Sequence, residues 1–551
     1  MKVKTNTAEF LVKCLESEGV RYVFGVPGEE NLLLLEAIRK SKIQFIVTRH
    51  EQAAVFMAAT VGRWTGKIGV ALSTLGPGAT NLVTGIAYAT LGGFPVLAIT
   101  GQKPIRKSKQ GKFQIIPVVK MMKPVTKFSR TISNGTEVSA FLSQAITAAQ
   151  SGRPGAIHLE LPEDVAEDRV SATYIKSKKI SPVAASPALI RKLVKILEKA
   201  RHPIIIIGGG ANRVPISAEL LAFVRGTKIP FITTQTGKGA LDESSEFYIG
   251  TTALRRGDYV HKAVQYADVV ITIGHDVFEG PPAILPVGKS QTLVHVNTFV
   301  SRHALIYTPT LEVVGDMART LLALTGKVKP SKFWDFSYFY RVRTALRKNL
   351  QRSAGDGAFP CKPERVVADI REAVPEDGIL SLDNGMYKIF IGRGYEARRP
   401  NTVLLDNALA TMGAGLPVGI ATKLLYPKRK VLVVAGDGGF MMNAGELETA
   451  KRLGLDLVIL ILNDGGFGMI RWKQKEMGFP DFSMKFGNPD FVALAKSFDV
   501  YAHRVTKISE LLPTLKNALN SRGIHVVDCP IDYSGVNDAL GGTLAEEVKG
   551  L

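Results

Sequence analysis

The stretch from Lys430 to Lys473 constrains the fold of this chain more than any other part of its sequence. It contains two short apolar runs, 431–435 and 457–462, of a kind typical of strands buried on both faces of a parallel sheet. The first run is followed by the sequence GDGG and a predicted helix that starts after Gly439, and the second run is followed by NDGG. The pattern therefore predicts a strand–helix–strand unit whose strands end in glycine-rich loops, where the backbone can approach a ligand.

Two carboxylates, Asp437 and Asp464, directly follow these strands. In open parallel sheets the carboxyl ends of the strands form the edge where ligands bind, so we expect the two side chains to converge there. Two carboxylates repel each other unless a cation lies between them, and oxygen ligands of this kind suit Mg²⁺ that holds a diphosphate. The alternative is that GDGG is an ordinary turn and Asp464 a solvated loop acid.

Residues 1 to about 165 alternate short apolar runs with helical patterns, which predicts a second parallel α/β region. Glu51 opens a predicted helix that follows the strand 44–47, and TLGPGATN opens another after the strand 69–73. A carboxylate in the first turn of a helix commonly does no more than complement the helix dipole. The alternative is a catalytic carboxylate on the ligand edge of its sheet, and the residues alone leave both interpretations open.

Several motifs together resemble the signature of thiamine-diphosphate-dependent enzymes: GDGG with NDGG, FGVPGEE with RHEQAA, and TLGPGATN. The resemblance covers nearly the whole chain. Within that family the chain looks most similar to acetolactate synthases of the catabolic, FAD-independent type, through GMIRWKQ, KFGNPDFVALAKSF, VDCPIDYS and ITIGHDVFEGPP. One departure is Met386-Tyr387, which stands where relatives often place polar ligands of the diphosphate.

The resemblance implies a set of site residues. Glu51 would hydrogen-bond the aminopyrimidine of the cofactor, while Phe113 and Gln114 would face the substrate, and these three form the predicted catalytic set. Mg²⁺ would be bound by Asp437, Asp464 and the carbonyl group of Gly466. The predicted cofactor-binding residues are Val26, Gly28, Ala410, Met412, Asp437, Gly438, Gly439 and Met469.

The resemblance also implies an activity: decarboxylation of pyruvate on thiamine diphosphate and carboligation to a second pyruvate, giving 2-acetolactate. Family members place the residues matching Glu51 and Asp437 in different subunits, which implies a homodimer or homotetramer. Two alternatives stay open, namely another thiamine-diphosphate-dependent 2-keto acid decarboxylase or carboligase and, more remotely, a basic non-catalytic binding protein on this fold. A decarboxylase needs a proton donor above the cofactor, often a histidine pair, and His50 forms no such pair in similar proteins. The segment 103–116 instead offers Lys103, Lys107, Lys109 and Lys112 to an acceptor carboxylate.

The predicted fold is α/β, with three doubly wound parallel-sheet domains: a pyrimidine-binding domain at 1–165, a central domain at 188–326 and a diphosphate-binding domain at 363–551. Residues 166–187 lose periodicity and are predicted to be a linker, and 327–362 are predicted to hold an amphipathic helix. The sequence GGGANR after the strand at 203–207 is interpreted as a turn. A dinucleotide site is the alternative, but the sequence does not match GxGxxG.

Composition narrows the remaining classes of protein. The 551 residues, 46% hydrophobic and 22% charged, predict a globular chain of several domains. No apolar run approaches the roughly 18 residues that cross a membrane. The three cysteines (Cys14, Cys361, Cys529) are scattered along the chain and suggest no disulfide framework. We therefore expect a cytoplasmic protein. The net charge of +21 is spread along the chain without a nucleic-acid-binding motif, so we expect neither a nucleic acid nor a membrane as partner.

Flavin is not expected as a cofactor. The biosynthetic branch of the resembled family carries a Met-His-Gly segment and an Arg-Phe-Asp-Asp-Arg segment in its middle region. The corresponding parts of this chain read FYIGTTALRR and GHDVFEGPP, so these flavin-associated elements are absent from the sequence.

Overall fold

The computed structural model of the protein describes residues 3–106, 112–177, 183–213, 216–252, 257–279, 290–301, 307–536 and 542–551. The chain forms two compact units. The first unit consists of Met1–Ser181, Leu409–Leu425 and Asn443–Leu453, and the second of Pro182–Ala408, Tyr426–Met442 and Gly454–Leu551. Two segments from the predicted diphosphate-binding domain thus belong to the first unit. The three domain boundaries predicted from the sequence stay a prediction.

The strands are numbered along the chain. They are β1 Val3–Asn6, β2 Tyr22–Gly25, β3 Gln44–Val47, β4 Gly69–Ser73, β5 Val96–Gln102, β6 Ser129–Thr131, β7 Ala156–Pro162, β8 Arg169–Ala172, β9 Pro203–Ile207, β10 Phe231–Thr233, β11 Tyr248–Thr251, β12 Val269–Ile273, β13 Thr292–Asn297, β14 Leu311–Val314, β15 Ile379–Leu382, β16 Val403–Leu404, β17 Val431–Gly436, β18 Leu457–Asn463, β19 Tyr501–Arg504 and β20 Ile524–Pro530.

The α-helices are numbered in the same way. They are α1 Thr7–Ser17, α2 Leu32–Arg39, α3 Glu51–Thr65, α4 Gly76–Asn81, α5 Val83–Gly92, α6 Val118–Met122, α7 Val138–Gln150, α8 Glu163–Glu167, α9 Pro187–Lys199, α10 Gly210–Arg213, α11 Ser217–Thr227, α12 Tyr259–Tyr266, α13 Met317–Leu324, α14 Ser337–Ala354, α15 Pro363–Ala373, α16 Tyr387–Gly394, α17 Gly415–Leu425, α18 Asp437–Met442, α19 Glu446–Arg452, α20 Gly468–Glu476, α21 Phe491–Ser497, α22 Leu511–Asn520 and α23 Gly542–Lys549.

Three six-stranded parallel sheets confirm the predicted α/β class. The first unit has the order β3-β2-β4-β5-β7-β6, and the second unit has β11-β10-β9-β12-β13-β14 and β16-β15-β17-β18-β20-β19. The first and last sheets therefore share one strand order. In a doubly wound sheet, ligands bind beside the strands where the order reverses. Those positions are β2/β4, β9/β12 and β15/β17.

The central strands form because their apolar runs can be buried on both faces. In β17 and β18 the residues before the terminal one are buried, and the two strands pair in parallel with Val433 opposite Ile459. Helices on both sides complete the core, as is usual for parallel sheets with crossover connections. This arrangement fixes the ends of both strands, and hence Asp437 and Asp464, at one edge.

Buried polar contacts join the two sheets of the second unit. Lys238 and Glu243 form an ion pair of 2.8 Å that is almost fully shielded from solvent, and the N–H of Ala397 donates to Glu243 at 2.8 Å. Arg393 on α16 pairs with Asp258 before α12 at 2.8 Å. Losing one partner of such a pair leaves an uncompensated buried charge, so these contacts hold the sheets in one arrangement.

The observed elements differ from the prediction in two respects, the start of the linker and the number of short strands. The predicted linker at 166–187 begins too early, because α8 runs to Glu167 and β8 pairs antiparallel with β1, with Val3 opposite Ala172. Residues 178–182 of that linker lie outside the described part of the chain. The short strands β1, β6, β8, β10, β11 and β14 were not predicted from the sequence. The predicted helix within 327–362 is confirmed as α14.

Among the described residues, no helix is long and apolar enough to span a membrane. All three cysteines are buried and free. Cys361 and Cys529 lie close together, with 3.6 Å between their sulfur atoms. The sequence did not predict this contact, because the two residues are distant along the chain.

Candidate functional site

The carboxylate of Asp437 lies at the point where the order of the last sheet reverses. β17 ends at Gly436, and Asp437 is the first residue of α18. The expectation that this helix begins after Gly439 is wrong by three residues. The first turn of this helix includes Gly438 and Gly439, and backbone N–H groups in a first turn have no intrahelical partner.

Asp437 is held by donors from three segments of the chain. Its Oδ1 accepts from the N–H of Gly438 at 2.9 Å, and its Oδ2 accepts from the N–H of Gly465 at 2.8 Å. The side-chain amide of Asn488 also donates to Oδ2, at 2.7 Å. Asn488 lies in the segment KFGNPDF, which resembles the catabolic acetolactate synthases, but Asn488 itself was not predicted as a site residue.

Asp464 is in a different electrostatic position. Burial, and then the negative charge of nearby Asp437, raises the pKa of Asp464 from 3.8 to about 7. The guanidinium group of Arg471 approaches its Oδ2 at 3.5 Å, but that oxygen has no hydrogen-bond partner in the described part of the chain. A buried carboxylate that lies near a second negative charge and lacks a hydrogen-bond partner is stabilised when a cation binds to it.

Unpartnered polar atoms cluster around the two aspartates. Asp464 Oδ2, Tyr387 Oη, Tyr533 Oη and Asn488 Oδ1 are all shielded from solvent without a hydrogen bond to any described residue. Buried polar groups in folded proteins are nearly always paired, so such a cluster indicates a polar ligand. A Cβ atom at Gly439 would lie only 2.7 Å from Asp383 Oδ2, so the backbone there has no room for a side chain.

These residues fit a divalent cation that carries a diphosphate. No group of three or more His, Cys, Asp or Glu side chains that could hold a metal occurs in the described ranges. Two carboxylates with one backbone carbonyl would instead leave positions open for phosphate oxygens, as Mg²⁺ sites commonly do. The carbonyl predicted for this role, that of Gly466, accepts a hydrogen bond from the N–H of Gly468 at 3.2 Å.

In the first unit, Glu51 is the first residue of α3 and is 8% exposed. The side-chain amide of Asn81 donates to its Oε2 at 2.9 Å, and a Cβ at Gly78 would lie 3.2 Å from its Oε1. The carboxyl group is thus oriented by one neutral donor, and its other oxygen faces Gly78 of α4, which has no side chain. Both segments that the sequence singled out, RHEQAA and TLGPGATN, meet here.

Glu446 is a residue of this site that the sequence argument missed. Its Oε1 accepts from the backbone N–H groups of Arg49 at 2.9 Å and His50 at 3.2 Å, directly before Glu51. Burial raises the pKa of Glu446, although the hydroxyl of Thr449 and these two N–H groups oppose the shift. Glu446 therefore fixes the turn from which Glu51 projects. In the sequence, Glu446 stands out only as part of the segment GELETA, and that segment has the pattern of an ordinary helix without a functional motif.

Gly28 and Gln114 lie beside the same β4–α4 loop as Glu51. A Cβ at Gly28 would be 2.4 Å from that of Thr74, and one at Gly76 would be 3.2 Å from that of Gln114. Gln114 also has a positive φ of 57°, an uncommon state for a residue other than glycine and one that clusters at functional sites. The structure thus brings Glu51, Gly28 and Gln114 together. The other two predicted residues next to them in the sequence differ in their exposure to solvent: Val26 is half-buried, whereas Phe113 is 69% exposed.

The structure describes two of the four lysines that were predicted to be available to an acceptor carboxylate. Lys103 is buried in an ion pair with Glu30 at 2.8 Å, so it is not available to an acceptor carboxylate. Lys112 is exposed. Lys107 and Lys109 lie outside the described residues.

Ala410 and Met412 lie in a turn that belongs to the first unit. Ala410 has a φ of 54°, and Asn443 donates from its side-chain amide to the carbonyl of Gly413 at 2.6 Å. α17, which follows this turn, packs against α3. Met469, in the second unit, lies on α20 and packs against the core of the last sheet.

The glycine-rich turn of the central sheet is closed by a side chain. The N–H of Gly209 donates to both carboxylate oxygens of Glu279, at 2.9 and 2.8 Å, and the hydroxyl of Thr234 donates to Glu279 at 2.7 Å. A Cβ at Gly208 would lie 2.4 Å from the Cα of His275, so the backbones are in contact. The interpretation of GGGANR as a turn agrees with this geometry.

Comparison with known proteins identifies the family. Residues 5–121 match the N-terminal TPP binding domain of thiamine pyrophosphate enzymes, 190–324 the central domain, and 383–529 the C-terminal TPP binding domain. The chain belongs to the thiamine pyrophosphate enzymes, whose cofactor is also called thiamine diphosphate. The family predicted from the sequence is therefore confirmed.

Several relatives match over nearly their whole length. The chain is 33% identical to "Acetolactate synthase, catabolic" of Raoultella terrigena over 538 residues, which cover 96% of this chain and 95% of that protein. It is 30% identical to "Acetolactate synthase" of Bacillus subtilis, over 97% of this chain and 94% of the relative. It is 32% identical to "Probable acetolactate synthase large subunit" of Methanocaldococcus jannaschii, over 95% and 92%.

Proposed function

We propose that this chain decarboxylates pyruvate with thiamine diphosphate and joins the two-carbon unit to a second pyruvate, giving 2-acetolactate. The observation that carries the proposal is the pair Asp437 and Asp464 at the reversal point of the last sheet, surrounded by polar atoms without partners. The names of the relatives, which span more than nine-tenths of this chain, support the product. Another 2-keto acid decarboxylase or carboligase is the alternative.

Thiamine diphosphate, when bound, supplies the electron sink that lets a 2-keto acid lose CO₂. Asp437, Asp464 and the carbonyl of Gly466 would hold Mg²⁺. The N–H groups of Gly438 and Gly439 would bind the diphosphate, and that of Gly438 would first have to release Asp437 Oδ1, to which it donates here at 2.9 Å. Ala410, Met412 and Met469 hold the organic part of the cofactor. This assignment explains why Asp464, with its raised pKa, is left without a hydrogen-bond partner for Oδ2.

Glu51 holds and moves a proton at the aminopyrimidine ring. Its Oε2 is engaged by Asn81, and its Oε1 faces Gly78 of α4. One oxygen therefore stays free of side-chain donors and can share a proton with a ring nitrogen. Glu446 keeps this carboxyl group in place through the backbone of Arg49 and His50.

The acceptor pyruvate is positioned by Phe113 and Gln114. Val26 and Gly28, which are also predicted to bind the cofactor, line the same substrate pocket. His50 is the histidine nearest to Glu51 along the chain, and its Nδ1 accepts from the N–H of Gln52 at 3.1 Å, which commits that nitrogen to capping α3. A decarboxylase would need a proton donor where the carboligase needs room for a second substrate. An imidazole that accepts at Nδ1 still carries a proton on Nε2, so this contact does not decide between the two reactions. Carboligation is proposed from the names of the relatives and because His50 forms no histidine pair in similar proteins.

The assembly is proposed from the resemblance, and the location from the state of the cysteines. We assign a homodimer or homotetramer, because the resembled enzymes take the counterparts of Glu51 and Asp437 from different subunits. We assign the cytoplasm, because three free, buried cysteines suit a reducing compartment.

The purified protein is expected to be colourless and fully active without added flavin. A phosphate at the glycine-rich turn of the central sheet would have to displace Glu279 from the N–H of Gly209. The visible absorption spectrum and the activity with and without FAD test this prediction. Stoichiometric bound FAD that activity requires would contradict it. Residues 253–256 and 280–282 of the two segments that led to this expectation lie outside the described chain.

The proposed function is tested by the ratio of pyruvate consumed to CO₂ released, with and without thiamine diphosphate and Mg²⁺. The carboligase consumes two pyruvates per CO₂, whereas a simple decarboxylase consumes one. The Asp437→Ala variant is the matched negative control. Absence of turnover, together with salt-dependent nucleic-acid binding, would favour the remote alternative of a basic binding protein instead.

A further inference from the structure

Two tyrosine hydroxyls lie beside the aspartate pair and have no hydrogen-bond partner. Tyr387, the first residue of α16, is 3% exposed, and Tyr533 follows β20. Both Oη atoms are shielded from solvent, and neither forms a hydrogen bond with any residue of the described ranges. Leaving a buried hydroxyl unpaired is costly, so two of them in one place call for an explanation.

Both rings reach the loops that carry the aspartates. A Cβ at Gly436, the residue before Asp437, would lie 3.4 Å from Tyr387 Cε1. A Cβ at Gly468 would lie 3.4 Å from Tyr533 Cδ2 and 2.8 Å from Asp464 Oδ2. The two tyrosines thus approach the site from β15 and from β20, on either side of the strands that carry Asp437 and Asp464.

Each of the two phenols has one O–H that can donate a hydrogen bond. No acceptor for either hydroxyl occurs among the described residues. Each hydroxyl can therefore gain a hydrogen bond from a ligand that brings an acceptor to this place.

We propose that Tyr387 and Tyr533 donate hydrogen bonds to the diphosphate group of the bound cofactor. This inference rests on the proposed function, in which Mg²⁺ takes up the charges of Asp437 and Asp464. A diphosphate brings several anionic oxygens, which are the acceptors that the two hydroxyls lack. Tyr387 thereby fills the position where the sequence had shown a departure from the usual polar ligands of this group.

The proposal is tested with the Tyr387→Phe and Tyr533→Phe variants, in which only the hydroxyl is removed. Calorimetric titration of each variant with thiamine diphosphate at fixed Mg²⁺ is expected to show affinity reduced about ten- to hundredfold per hydroxyl, as for hydrogen bonds to charged groups. Titration with inorganic pyrophosphate and Mg²⁺ is expected to show the same loss. Without cofactor, the Tm of both variants should equal or exceed that of the parent protein, because an unpaired buried group has gone.

Tyr248→Phe is the matched control. Its hydroxyl is buried and paired with that of Thr251 at 2.7 Å, so this variant is expected to lower the Tm without changing cofactor affinity. The proposal is overturned if both site variants bind thiamine diphosphate as tightly as the parent, or if they lower the Tm as Tyr248→Phe does. If the parent protein itself fails to bind thiamine diphosphate, the proposed function fails first.

Discussion

The Asp464→Ala variant is expected to bind thiamine diphosphate more than about 100-fold more weakly and to show no pyruvate turnover at low Mg²⁺. Residues that merely support metal ligands cost about 10–100-fold in metal affinity, and a ligand itself should cost more. Asp464 carries one of the two carboxylates assigned to the metal, and its Oδ2 has no other hydrogen-bond partner in the described chain. Calorimetry at fixed Mg²⁺ measures the loss.

Asp456→Ala is the control for this prediction. Asp456 lies just before the opposite end of β18, is exposed, and accepts from the N–H of Gly523 at 2.6 Å. Its replacement should leave cofactor affinity unchanged. Equal affinities of the Asp464→Ala variant and the parent protein would show that Asp464 is not a metal ligand.

The same aspartate gives a second readout in the metal-free protein. Because the folded-state pKa of Asp464 is raised from 3.8 to about 7, the folded state binds an extra proton between these values. Stability from this group is therefore fully present below pH 4 and is lost as pH rises towards 7. The free energy of unfolding of the Asp464→Asn variant should lack this component. An identical pH profile in variant and parent would contradict the assigned state of Asp464.

The Glu51→Gln variant is expected to slow exchange of the C2 proton of bound thiamine diphosphate by about 10²- to 10⁴-fold, the usual range for a general acid–base group. The replacement keeps the size of the side chain, and its amide oxygen can still accept from Asn81. It removes the titrating proton alone, so thermal unfolding should change little. NMR-monitored exchange in deuterated buffer measures the rate.

Glu36→Gln serves as the control for Glu51, because Glu36 is a surface residue of α2 that pairs with Arg39. In the Glu36→Gln variant, the C2 proton of bound thiamine diphosphate should exchange at the same rate as in the parent protein. An unchanged rate in the Glu51→Gln variant would leave Glu51 only the role of complementing the helix dipole, which is the alternative that the sequence left open.

The positions of Asp437 and Asp464 could be predicted because they depend on local patterns. Apolar runs bounded by glycine and acidic residues locate β17 and β18 to within a residue, and parallel pairing then places both strand ends at one edge. The same holds for Glu51, since the strand 44–47 and the helix after it are both strongly patterned. Long, buried elements therefore carried most of the prediction.

What the sequence could not give depends on contacts between distant segments. Glu446 supports the turn before Glu51 although Arg49 and Glu446 are separated by 397 positions along the chain, and no local pattern records such a contact. The assignment of Leu409–Leu425 and Asn443–Leu453 to the first unit has the same origin. Tyr387 and Tyr533 read as core aromatic residues, because only the fold shows that their hydroxyls lack partners.

The most direct test of the account is a ¹³C NMR spectrum of the product formed from pyruvate labelled at its keto carbon. Carboligation joins two labelled carbons, so the account predicts 2-acetolactate with two adjacent labels and a visible one-bond carbon–carbon coupling, formed only when thiamine diphosphate and Mg²⁺ are present. Chiefly singly labelled acetaldehyde, without that coupling, would contradict the account and establish a decarboxylase in its place.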